Sequence, residues 1–144
     1  MISDIHLGFA IAVLAANLLA GAWGGVAWLR RTPSTWFWYL LRAAQVIVVV
    51  QVGLGVALLA GDRRPADDLH YLYGSAPLLI TLVSEMMRIG AAHRELAEVP
   101  DVHALERAEQ VAVARRVVVR EMGVMTVGAL LIVSLALRAM FTSS

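Results

Sequence analysis

The chain's titratable chemistry is confined to four histidines, eleven carboxylates, three tyrosines and twelve basic residues, all of them arginine. Without lysine there is no Schiff-base nucleophile and no P-loop lysine. Without cysteine there is no disulfide, thiolate nucleophile, iron–sulfur cluster, thiolate zinc site or C-x-x-C-H haem attachment. No nucleophile–base–orienter set is legible, which argues against a hydrolase. The informative side chains are imidazoles. His6 and His70 each open a long apolar stretch, whereas His93 and His103 lie in a polar connection. One neutral imidazole from each of two facing helices is the ligand set of a non-covalently held haem b.

Helical phase places both histidines on comparable faces. Steps of three and four residues keep one side of a helix. From His6 that side carries Ala10, Val13, Asn17, Gly21 and Gly24; from His70 it carries Gly74, Pro77, Thr81, Glu85 and Arg88. Small and polar residues face other helices in a membrane bundle, so both imidazoles are expected to point inward. Gly74 follows His70 by one turn and Ala10 follows His6 by one turn, leaving room for a flat macrocycle. Gln51 and Gly55 share a face of the intervening segment, and Gly53 lies on another. Arg63 and Arg64 are placed to pair with haem propionates through charge-assisted bonds.

These residues must be positioned by membrane helices. Of the 144 residues 60% are hydrophobic and 16% charged, against about 45–50% and about 25% in a soluble domain. That composition excludes an ordinary cytosolic enzyme, a disordered regulator and a secreted disulfide module. Net charge is +1 with the signs intermixed, so no nucleic-acid-binding surface is proposed. Four apolar segments, residues 6–29, 36–60, 69–89 and 122–140, each approach the ~20 residues that cross a hydrocarbon core. Continuous apolar runs there mean helices. The expected fold is a single all-α domain over 1–144, a four-helix transmembrane bundle in contact with the lipid bilayer.

The breaks are legible as well. Residues 30–34, RRTPS, end the first helix and start the second, and GDRRPADD is a short polar turn. A longer break is expected from about 91 to 120. Asp101 is placed to N-cap a helix running from 102 into the fourth span without interruption, its first part amphipathic.

Nine arginines (30, 31, 42, 88, 94, 107, 115, 116 and 120) lie near one side, and Arg63, Arg64 and Arg138 near the other. The positive-inside rule puts the first group in the cytoplasm, with both termini and the 61–68 turn outside, as in a bacterial inner membrane. Trp28, Trp36, Trp38 and Tyr39 suit an inner aromatic belt, and Tyr71 and Tyr73 an outer one. The first helix lacks a basic n-region and a small-residue cleavage site, so it is expected to be retained.

Other residues carry two readings each. Glu85 is an intramembrane acid, a proton-relay candidate by default; Arg88, three residues on, makes it a structural ion pair instead. Asn17 is expected to donate a hydrogen bond between helices. Pro77 lacks an N–H and is placed to kink the third helix. Asp67, Asp68, His70 and His6 form a candidate divalent-cation set, although the two aspartates equally suit the start of a helix. The histidines too have a plain reading, as tolerated interfacial residues beside ordinary packing stripes.

The stretch AAQVIVVVQVGLGVALLAG, followed by DDLHYLYGSAP, resembles part of heme A synthase. Within about residues 44–80, Gln51, Gly53, Gly55 and His70 match a helix of Q-x-x-LG type, a short outer turn and a helix opening with histidine. His6 stands for the ligand on an earlier helix. The resemblance implies haem held between two histidines near the outer face. This chain differs in having one four-helix unit, Asp4 as the only acid near its first histidine, and histidines on helices one and three rather than two and four. The oxygenating activity is therefore not carried over, and a simpler bundle of the cytochrome b type fits the residues better. The expected role is electron transfer, haem handling or respiratory-complex assembly with a membrane redox or assembly partner. The alternative is a cofactor-free structural or scaffold subunit that docks through residues 102–120.

Overall fold

A computed structural model describes residues 2–61 and 69–142. It is all-helical: α1 spans Ile2–Leu29, α2 Thr35–Ala60, α3 Leu69–Ala97 and α4 Arg107–Thr142, with a 3-10 turn at Val102–Ala104. Three helices are long and apolar enough to cross a membrane, over Asp4–Leu29, Thr35–Ala60 and Arg107–Phe141. The third expected span, 69–89, corresponds to α3, which is 29 residues long but is not among those three. Its apolar run is interrupted by Thr81, Ser84, Glu85 and Arg88. Many large apolar side chains lie on the outside, including Leu19, Trp36, Val56, Met86 and Phe141. Such a surface is costly in water and ordinary in lipid.

The helices pack in the cyclic order α1, α2, α3, α4, with α4 tightly against both α1 and α3, and with α2 against α3 the slackest side. The face expected from His6 is the buried face of α1: Val13, Asn17, Gly21 and Gly24 are buried, joined by Ala20 and Ala27. On α3 the face expected from His70 holds buried Pro77 and Thr81 and half-buried Glu85 and Arg88, and it continues through Ser84, Ala91 and Glu95. One core cluster joins Ala27, Phe37, Leu41, Met122, Met125 and Ala129. A second joins Val13, Val48, Ile132 and Ala136. Gly24 permits the first, because a Cβ there would collide with Phe37 and with the Thr126 hydroxyl.

Sequence signals explain the first connection. Thr32 N–H donates to Ala27 O and Arg31 N–H to Trp28 O, both at 2.9 Å. This is a Schellman closure with Arg31, at φ 51°, in the left-handed position that usually takes glycine. Ser34 then caps α2, accepting from the Phe37 N–H at 3.3 Å and from the Trp23 indole at 2.9 Å.

Three expectations need correction. First, α3 runs on to Ala97, so the break between it and α4 is much shorter than the expected 91–120. Second, the helix after Asp101 does not run uninterrupted. Asp101 caps the 3-10 turn by accepting from His103 N–H at 2.9 Å, and Leu105 is extended at φ −73°, ψ 151°. A separate start follows, where Glu109 accepts from Glu106 N–H at 3.4 Å and Gln110 donates to Leu105 O at 3.0 Å. Glu109 thus caps the start of α4, and Gln110 ties the helix back to the preceding turn. Third, Asn17 is buried, yet its amide donates to Val13 O in its own helix at 2.9 Å, not to a neighbouring helix. Meanwhile α3 stays helical through Pro77.

Candidate functional site

The two core clusters leave one end of the bundle to His6, Gln51, Gly55, His70 and Gly74. Because α1 and α3 run in the same direction, their first turns lie at the same end, and the histidines meet across the diagonal of the bundle. The ring centroids are 6.2 Å apart with the planes tilted by 56°. Both residues are half-buried. Gln51 reaches in from α2, with its Nε2 3.3 Å from His6 Nε2. Gly55, one turn on, lies beneath the same ring, where a Cβ would stand 3.6 Å from His6 Cε1. At Gly74 a Cβ would meet nothing within 4 Å, so space is open one turn beyond His70, on a helix only loosely covered by α2.

Hydrogen bonding at this end is incomplete. His6 Nδ1, His70 Nδ1 and Gln51 Oε1 are buried atoms without a partner. Buried polar atoms are nearly always satisfied, so three orphans in one cluster set this end apart as a place with hydrogen-bonding and ligating capacity to spare. Two imidazoles bound to one metal have ring centres roughly 6 Å apart, about 2 Å from metal to each nitrogen plus roughly 1 Å to each centroid. The observed separation fits that span. Among the described residues no group of three or more His, Asp or Glu assembles to hold a metal ion. The unpartnered nitrogens are both Nδ1; ligation through them leaves His6 Nε2–H facing Gln51, whose amide accepts it through Oε1 when turned over.

Arg63 and Arg64, expected to pair with propionates, lie outside the described residues, as do Asp67 and Asp68 of the candidate cation set. Gly53 is exposed, away from the histidines. His93, expected in a polar connection, is exposed near the end of α3, and His103 is exposed in the 3-10 turn; neither approaches the pair.

The chain matches no protein-family model, no curated protein and no solved structure. Its site therefore rests on its own geometry.

The opposite end holds a charged network only partly legible in the sequence. The expected Glu85–Arg88 pair forms at 2.9 Å. Glu85 also accepts from Arg42 and, at 2.8 Å, from Gln45, both on α2. Arg88 continues to Glu121 of α4 at 3.5 Å and lies 5.6 Å from the centre of the Trp38 ring. Further along, Glu95 is buried and paired with Arg120 at 2.8 Å and Arg116 at 3.7 Å. Arg115 donates twice to the Arg31 carbonyl, at 2.9 and 3.2 Å. Helical spacing shows the Glu85–Arg88 contact but not those between helices. Arg138 falls at the histidine end, 5.9 Å from the Tyr73 ring centre. The described arginines thus segregate by end as their order along the spans implies.

Proposed function

We propose that this chain is a membrane protein binding one haem b between His6 and His70, with electron transfer or haem handling in a respiratory membrane as its role. The observation that carries the reading is the approach of two imidazoles from diagonal helices to 6.2 Å, each with an unpartnered buried Nδ1. His6 and His70 would hold the group, Gln51 would hydrogen-bond to the His6 ring, and Gly55 and Gly74 would leave it room. When bound, haem b supplies one-electron redox chemistry. The chain's part would be to present the two imidazoles from α1 and α3 to one group, with Gln51 of α2 beside the first.

In this reading α3 is the fourth span, its polar face turned inward onto α2 and α4. The arginine-rich end is cytoplasmic, both termini lie on the far side, and the membrane is a bacterial inner membrane. A visible spectrum of the purified protein tests the proposal. Absence of any Soret band after growth with ample haem favours the cofactor-free scaffold, in which Gln51 and the histidines serve only to join helices.

A further inference from the structure

A groove of about 790 Å³ opens along α3 and α4, far from the histidines. Its long walls are apolar, with Leu79, Val83 and Met87 on α3 and Val124, Val127 and Leu131 on α4. At one end stand Arg31, Arg116, Arg120 and Glu95, beside the Trp28 indole. Three guanidinium groups against one carboxylate leave that end with an excess of two positive charges. Glu95 engages Arg120 and Arg116 on its own side. Arg31 projects from a left-handed backbone position, φ 51°, disfavoured for any residue with a Cβ. Its carbonyl is fixed by Arg115, which anchors the turn that presents the side chain.

Length identifies the occupant. From Arg120 to Leu131 is eleven helical residues, about 16 Å at ~1.5 Å per residue. Half of a hydrocarbon core ~30 Å thick is about 15 Å. The apolar part of the groove therefore has the depth of one leaflet, and its charged end lies where a headgroup sits. Basic pockets between membrane helices hold anionic headgroups. We infer that the groove binds an anionic phospholipid, one acyl chain along α3 and α4 and the phosphodiester among Arg31, Arg116 and Arg120. This needs the chain to lie in a bilayer but is independent of haem.

The test uses the full chain, delipidated in detergent and titrated in mixed micelles with dioleoyl phosphatidylglycerol or dioleoyl phosphatidylcholine. Bound lipid is counted by native mass spectrometry, and the melting temperature is followed in parallel. Phosphatidylglycerol should bind at one per chain, about tenfold tighter than phosphatidylcholine. The R31Q/R116Q variant, which leaves Arg120 to hold Glu95, should bring the two lipids within about twofold. In Val83→Trp, at an exposed lining position, the groove is filled with its charges unchanged, and both lipids should weaken. Equal affinity of the wild type for the two lipids would overturn the inference. So would a preference that survives R31Q/R116Q, binding unaffected by Val83→Trp, or displacement of the lipid by millimolar inorganic phosphate alone. A stable dimer whose interface protects the groove regardless of lipid would replace the phospholipid with a second copy of the chain.

Discussion

The His6 imidazole lies 6.2 Å from that of His70, centroid to centroid, with the Gln51 amide 3.3 Å from His6 Nε2. These residues come from three helices, α1, α2 and α3, and α2 against α3 is the slackest side of the bundle. The end of the bundle opposite the histidines is held by Glu85, Arg88, Arg42 and Glu121 and by the cluster around Phe37 and Met122, while the cluster of Val13, Val48, Ile132 and Ala136 lies between that end and the histidines.

Two glycines should respond in opposite ways. A Cβ at Gly24 meets Phe37 and Thr126, whereas at Gly74 it meets nothing within 4 Å. Gly24→Leu should lower stability by about 1–3 kcal/mol through overpacking. Gly74→Leu should leave melting within a few degrees of wild type and yet reduce haem retention. Melting temperature and haem content of the two variants, measured together, check this. Equal loss of stability in both would mean that the space beside His70 is not open.

Glu85 should be coupled to both of its arginines. In double-mutant cycles built from Glu85→Gln with Arg88→Gln, and with Arg42→Gln, unfolded in mixed micelles, a coupling of about 1 kcal/mol is expected. Arg42 should contribute less, since its side chain is 50% exposed against 24% for Arg88. Additive effects within about 0.3 kcal/mol would remove the network from the account.

The segregation of arginines makes a topological prediction. A reporter fused after Ser144 should signal the non-cytoplasmic side, and one inserted between Glu98 and Val99 the cytoplasm. The reverse pattern would place the histidine pair at the cytoplasmic face.

How much was legible in the sequence differs by feature. The inward faces of α1 and α3 follow from three- and four-residue spacing, because side-chain direction in a helix depends only on position along it. Gly21, Asn17 and Thr81 fall where that periodicity puts them. Phase along each helix turns His6 and His70 inward and so toward one another, but the diagonal arrangement depends on how four helices close, which no local pattern encodes. For the same reason the pairing of Glu85 with Arg42 and Gln45, from another helix, has no signal in spacing. Asn17 found a carbonyl four residues back, a local choice open to any short polar side chain in a helix. The break at Leu105 was hidden because Asp101 caps equally well a short 3-10 turn or a long helix.

The central claim is decided most directly by the reduced-minus-oxidised visible spectrum of the detergent-purified chain, from cells supplied with haem, taken beside His6→Ala, His70→Ala, His93→Ala and His103→Ala. The account predicts a Soret band and sharp low-spin bands in the wild type, unchanged in His93→Ala and His103→Ala. In His6→Ala and His70→Ala the bands should be lost or converted to a five-coordinate high-spin form. A wild type without a Soret band, or wild-type low-spin spectra from both His6→Ala and His70→Ala, would contradict it.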